Sequence, residues 1–354
     1  MAMSIQERID TFDKSNMFDL IKNFPQQFEK ARRNAEQHTL PSLKGPIENI
    51  IFTGMGGSAI GGDLLSNLLA GSSNLPTFVN RTYSLPNFVS DKSLVIASSY
   101  SGNTEETLSA LQSVADRNPY VVCITANGQL EKIAQENTYG LIKVPGGQPP
   151  RTALGYLFVS MLTVLEKLGI VADQTDDFSE TLSLLREMSA MYADLEATEN
   201  PTLQLAEALV GKTPIIYGTD EPNAALPTRW RNQMSENAKI LAFGNLIPEM
   251  NHNEIVGWAA PTAILDKTHV ILLRDDHCST RIKVRFEATK EILQQNNVPF
   301  TELFARGQSR MCRTFSLLYY ADFVSYYLAV LNKVDPTPIK NIDFLKNKLA
   351  TLSG

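Results

Sequence analysis

The chain has 354 residues, a length that divides into roughly two domains at about 150 residues each. Hydrophobic residues make up 43% and charged residues 20%, a balance that excludes a disordered, collagen-like or coiled-coil chain. A formal charge of −6 lacks the basic footprint of a duplex-binding protein, so no nucleic-acid partner is expected.

Residues 1–45 read as an N-terminal helical segment. Charges are scattered through a helical pattern, and no apolar run resembles the core of a signal peptide. From residue 46, short apolar runs alternate with longer helical stretches. Asn49-Ile50-Ile51-Phe52-Thr53 leads into a glycine-rich turn and a helix over 60–69, and Leu94-Val95-Ile96-Ala97 into a serine-rich turn and a helix over 104–114. The run 120–125 precedes a helix over 130–134, and the run 140–144 stops at Pro145-Gly146-Gly147. This is the pattern of parallel βαβ units. Strands that are apolar throughout, without alternation, imply helices on both faces of the sheet. Residues 46–175 are therefore predicted to form a doubly wound α/β sandwich.

A polar-faced helix over 177–195 fills a linker of residues 176–200, which ends at the turn-rich Thr198-Glu199-Asn200-Pro201. Residues 201–354 then repeat the α/β plan as a second parallel-sheet domain. Ile215 and Leu241 stand at one common offset from Ile51 and Thr77, while Val270 lies further from its counterpart Val95, which implies an insertion. The run 300–304 is a fourth strand. The apolar stretch 315–331 holds Asp322, two serines and four tyrosines, so a buried helix is expected and no membrane partner. Cys123, Cys278 and Cys312 are odd in number and far apart, which fits no disulfide framework and predicts a reducing, cytoplasmic setting.

The strongest local signal follows the second strand: Ser98-Ser99-Tyr100-Ser101-Gly102-Asn103-Thr104-Glu105-Glu106. Hydroxyls at Ser99, Ser101 and Thr104 can converge on one small anion, with Gly102 letting the backbone turn closely. The helix that opens there adds free N–H groups and partial positive charge. Asn103 with Glu106 is expected to cap it. An ordinary hydroxyl-rich turn is the bland alternative; three hydroxyls around a glycine favour a phosphate site. No Gly-Lys-Ser/Thr follows, so this is not a nucleoside triphosphate loop.

The second signal is Gly54-Met55-Gly56-Gly57-Ser58-Ala59-Ile60-Gly61-Gly62-Asp63. Gly54, Gly56 and Ala59 fit a dinucleotide fingerprint, yet Asn80-Arg81 stands where an acidic ribose partner belongs. Arg81 leaves NADP open. The competing reading brings Gly57 and Ser58 against a sugar, and the separate phosphate loop favours it. Asp275-Asp276-His277-Cys278 has metal-ligand residue types, but they are consecutive and no matching cluster stands elsewhere. A surface loop is expected and no metal.

The two loops together resemble a sugar isomerase (SIS) domain. Arg231-Asn232-Gln233-Met234-Ser235-Glu236-Asn237-Ala238-Lys239, Pro248-Glu249-Met250-Asn251-His252-Asn253-Glu254 and the tail Asp335-Pro336-Thr337-Pro338 with Ile342-Asp343-Phe344-Leu345-Lys346 are similar to the bifunctional phosphoglucose/phosphomannose isomerases. The resemblance implies two SIS-type doubly wound domains and a cofactor-free aldose–ketose isomerase acting on hexose 6-phosphates. It implies phosphate held by Ser99, Ser101 and Thr104, and sugar lined by Gly57 and Ser58. Arg151 would lie beside the reacting carbons and Glu236 would move the proton between C1 and C2. His252 would open the ring from a neighbouring subunit of a homodimer, assisted by Lys346, with Lys340 in the same segment and Thr337 near the sugar hydroxyls.

Unaided, Glu236 reads as a solvated helix carboxylate with Arg231 and Lys239 as partners, and the resemblance reverses that. General acid–base help of this sort is worth about 10²–10⁴-fold. A non-catalytic sugar-phosphate regulator is the alternative, but residues 1–45 are too short and too mixed in charge for a confident DNA-binding output segment.

Overall fold

The computed structural model describes residues 3–220 and 222–351; residues 1–2 of the predicted N-terminal segment and 352–354 of the predicted second domain lie outside it. Three helices open the chain, α1 (Ile5–Phe12), α2 (Met17–Lys22) and α3 (Phe24–Gln37). Ser4 starts α1 with a reciprocal cap: its hydroxyl accepts from Glu7 N, and the Glu7 carboxylate accepts from Ser4 N at 2.7 Å.

The first sheet contains β1 (Asn49–Thr53), β2 (Thr77–Asn80), β3 (Ser93–Ser98), β4 (Tyr120–Thr125) and β5 (Gly140–Lys143), all parallel, in the order β2-β1-β3-β4-β5. Helices α4 (Gly56–Leu69), α5 (Glu105–Gln112), α6 (Gln129–Glu136) and α7 (Leu154–Lys167) complete this half. Separate apolar cores lie on the two faces of the sheet, one under α4 and α7 and one under α5 and α6. That two-sided burial is why β3 is buried along its whole length.

Helices α8 (Thr175–Tyr192) and α9 (Pro201–Ala208) lead to the second sheet. It is built from β6 (Thr213–Thr219), β7 (Phe243–Ile247), β8 (Thr268–Arg274) and β9 (Phe300–Phe304), again parallel, in the order β7-β6-β8-β9. The remaining helices are α10 (Leu226–Ala238), α11 (Thr262–Leu265), α12 (Thr280–Gln295), α13 (Arg310–Leu331) and α14 (Lys340–Leu349). Ile51 pairs with Val95 in the first sheet and Ile215 with Val270 in the second, so the internal repeat is real in register. The edge strand β7 starts two residues later than the expected 241, because Leu241 is an exposed loop residue at 73% accessibility.

Helix α13 is the predicted buried helix, and 94% of its most apolar stretch lies inside the protein. Its polar groups are the reason it belongs there. Tyr319 donates to Ile21 O at 2.8 Å, Tyr320 to Pro201 O at 2.7 Å, Tyr326 to the Asp13 carboxylate at 2.9 Å and Tyr327 to Tyr192 O at 2.6 Å. These bonds tie α13 to the N-terminal helices and to the elements between the sheets. Asp322 accepts from Arg229 at 2.8 Å and Gln233 at 2.7 Å, both on α10. Burial pushes the Asp322 carboxyl upward, and Arg229 and Gln233 oppose that shift. Helices α10 and α13 are thus fastened by a buried charge as well as by apolar packing.

Candidate active site

The two sequence-predicted loops lie side by side at the carboxyl ends of β1 and β3, where open parallel sheets hold ligands. A Cβ on Gly54 would stand 2.9 Å from the carbonyl of Ser98 and 3.0 Å from the Ser58 Cβ, so the strand ends approach too closely for any side chain. Gly102 has φ +70, and a Cβ there would meet the Asn127 carbonyl at 1.6 Å. Only glycine fits that turn.

The three hydroxyls are not equivalent. Ser101 is exposed and Thr104 half-buried, whereas Ser99 is fully buried with its hydroxyl 2.8 Å from that of Thr104. Ser99 braces Thr104; Ser101 and Thr104 form the accessible surface of the loop. Thr104 is the N-cap residue of α5, with no side chain bonded over the helix end. The expected Asn103–Glu106 cap is absent, because the Asn103 side-chain Oδ1 instead accepts from Gln129 N at 3.0 Å. That bond joins this loop to the start of α6.

Gly57 connects this region to the Arg151 turn. A Cβ on Gly57 would lie 3.2 Å from the Pro150 carbonyl and 3.7 Å from the Arg151 Cα. Ser58 is buried beside it. Arg151 sits in a 3-10 turn over Pro150–Thr152, is 3% exposed, and has its guanidinium held from several sides. Nε donates to Asn237 Oδ1 at 2.7 Å, and Nη2 donates to the carbonyls of Pro336 at 2.7 Å and Thr337 at 3.1 Å. Nη1 faces the Glu236 carboxylate at 3.4 Å. Burial lowers the Arg151 pKa, Glu236 opposes the shift and Arg229 adds to it. A guanidinium has five N–H donors, so three are committed to the fold and the Nη1 edge is left to face Glu236 and the cleft.

Glu236 lies in the last turn of α10, with 28% of its side chain accessible. It opens onto a cleft of about 560 Å³ shared with Lys239, Asp335, Pro338, Lys340 and Ile342. Its ion-pair partner is Arg151 and not Arg231; Lys239 bonds the main-chain carbonyl of Glu236 instead. The hydroxyl oxygen of Thr337 is buried and lacks a hydrogen-bond partner.

Two predicted residues, His252 and Lys346, are not among those that line the cleft. His252 ends a 3-10 turn over Glu249–His252 after β7 and is exposed. Lys346 is exposed on α14, while Lys340, at the start of the same helix, lines the cleft.

Arg81 pairs with Asp63 of α4, which engages the cation that a dinucleotide 2′-phosphate would need. Asp275 departs from the expected surface loop: it is 2% exposed and bonded to Arg313 at 3.0 Å. Among the described residues, no group of three or more His, Cys, Asp or Glu could hold a metal ion. Asn237 and Arg229, which position Arg151 through its side chain and its carbonyl, had no signal in the sequence beyond their nearness to Glu236.

Residues 46–170 match the SIS domain model, and residues 198–349 match the model of the bacterial phospho-glucose isomerase C-terminal SIS domain. The fold is similar to that of a solved hypothetical protein from Thermus thermophilus, with a TM-score of 0.75 at 18% identity, over 98% of this chain and 94% of that one. Two SIS-type domains in tandem therefore define the class. The chain is 39% identical over 337 residues to a bifunctional phosphoglucose/phosphomannose isomerase of Caldicellulosiruptor bescii, covering 95% of this chain and 99% of the relative. It is 37% identical over 305 residues to one of Aquifex aeolicus, covering 86% and 91%. The chain belongs to the bifunctional phosphoglucose/phosphomannose isomerase family and is an isomerase.

Proposed function

We propose that the chain interconverts glucose 6-phosphate and mannose 6-phosphate with fructose 6-phosphate by acid–base proton transfer that uses no metal or cofactor. The observation that carries this reading is the Glu236 carboxylate, open to a cleft and 3.4 Å from a buried, fully oriented arginine. The phosphate is held by Ser101, Thr104 and the first amides of α5, with Ser99 bracing Thr104. Gly57 and Ser58 line the sugar.

With the ring open, the Glu236 carboxylate takes the C2 proton of the aldose. The electron pair moves into a C1–C2 double bond and the carbonyl oxygen at C1 becomes an enediolate oxygen. Arg151 faces that developing charge from a site already desolvated, which is where such a contact is most effective. The O2 proton passes to O1, and Glu236 returns its proton to C1, giving the ketose. Ring opening is assigned to the partner subunit's His252 with help from Lys346, in a cytoplasmic homodimer with two composite sites.

The purified chain should turn over fructose 6-phosphate to both aldoses; no turnover would leave a sugar-phosphate-binding regulator. Glu236→Gln and His252→Ala should each be nearly inactive alone, and co-refolding them should restore activity in mixed dimers. Mixed dimers seen by intact-mass measurement but without activity would remove His252 from a shared site.

A further inference from the structure

The carbonyl of Pro336 receives two cationic donors, Arg151 Nη2 at 2.7 Å and Lys239 Nζ at 2.9 Å. A carbonyl has two lone pairs, and these two donors satisfy both. Lys239 also donates to the carbonyl of Glu236 at the end of α10. A cation near a helix C-terminus is ordinary, and the bond to Glu236 needs no further reason. The bond to Pro336 is different. It brings a second positive charge onto an oxygen already occupied by Arg151, and the two cations repel. Lys239 is also the C-cap of α10, at φ 58, a conformation uncommon outside glycine, and from there it reaches both carbonyls.

The charged groups around the ammonium are Glu236 on its own helix, Arg151 on the 150–152 turn, Asp335 in the tail and Lys340 on the cleft wall. Burial and then the Arg151 charge lower its pKa from 10.5 to about 8, with Asp335 and Glu236 opposing. An arrangement that unfavourable is explained if the segment it holds has to be in one place.

We propose that Lys239 is a positioning residue for the isomerisation: by joining the end of α10 to the Pro336 carbonyl, it keeps the 335–339 segment aligned with Glu236 and Arg151. The proposal rests on the reading of Glu236 as the base. Thr337 lies within the held segment, and Lys340 follows it.

The test is the pH profile of kcat and KM for wild type, Lys239→Met and Lys239→Arg, with Glu236→Gln as control. Burial and Arg151 outweigh Asp335 and Glu236, so the held position favours the neutral amine, whose N–H groups still reach both carbonyls; kcat should not fall as pH rises through about 8. Lys239→Met should lower kcat by about 10- to 100-fold at neutral pH, as small misplacements do, with KM changed less than about twofold. Lys239→Arg, which can donate to both carbonyls, should keep kcat within about threefold of wild type.

A Lys239→Met enzyme with kcat within about twofold of wild type, or a wild-type kcat that falls near pH 8 where that of Lys239→Arg does not, overturns the proposal. If Lys239→Met does not fold, the kcat and pH profile of Lys239→Arg decide alone. An active Glu236→Gln would reject the reading of the base; an inactive one beside a fully active Lys239→Met would reject only the role of Lys239.

Discussion

At the carboxyl end of the first sheet, β1 and β3 run into loops of glycine and hydroxyl residues, and Ser101 stands open to solvent. At the same end of the second sheet, β6 and β8 run into a closed, charged plug. By strand register Arg274 stands where Ser99 does, and Asp275 where Tyr100 does. Arg274 bonds Glu302 and Glu287 and stacks against Phe286 at 4.8 Å and Phe304 at 5.2 Å. Asp275 takes Arg313 at 3.0 Å and Asn223 at 3.4 Å, and Asn223 accepts from Thr314 at 2.9 Å. The first sheet therefore opens onto hydroxyls at its strand ends, and the second onto ion pairs. In the proposed reaction the second domain contributes through a helix end and a tail, Glu236 and the 335–339 segment, and not through its own strand ends.

Breaking the plug should cost stability without touching the substrate. Arg313→Met leaves Asp275 buried and unpaired, a loss of about 3–5 kcal/mol. Denaturant unfolding should show it, with KM for glucose 6-phosphate unchanged. Adding Asp275→Leu should recover most of the loss, since a buried pair replaced by apolar groups is often neutral. A raised KM in Arg313→Met would mean that the second strand-end crevice also takes part in binding.

The opposite result is expected at the open loop. Ser101→Ala should leave the unfolding midpoint in place, because the residue is exposed, and should raise KM with a loss of about 1.5–3 kcal/mol for a bond to a charged group. Unchanged KM would remove Ser101 from the phosphate site.

Much of this division was legible in the residues. Apolar runs and their offsets were enough for the parallel strands and for the register that equates Ile51 with Ile215, because strand burial on two faces leaves a local pattern. No copy of Ser99-Tyr100-Ser101-Gly102-Asn103-Thr104 stands after the run 270–273, where Arg274-Asp275 follows instead. The contacts made there were not legible: Asp275 read as a surface residue because its partner Arg313 lies 38 positions away. The hold on Arg151 was equally hidden, since it joins residues 86 and 185 positions apart. Periodicity records which face is buried and says nothing of which distant polar group meets it. Asn103 shows the same limit at short range, where a correct capping pattern was overridden by Gln129 of the next helix.

In the proposed reaction one carboxylate of the second domain, Glu236, moves the proton for a sugar phosphate held by the first. That transfer is tested most directly by running fructose 6-phosphate in deuterium oxide with wild type and Glu236→Gln, reading product by NMR. Wild type should place solvent deuterium at C2 of the aldose. Glu236→Gln should bind a substrate-analogue inhibitor as wild type does while losing about 10²–10⁴-fold in kcat. Product without deuterium from wild type, together with a variant that keeps more than about a tenth of wild-type kcat, would remove Glu236 from the proton transfer.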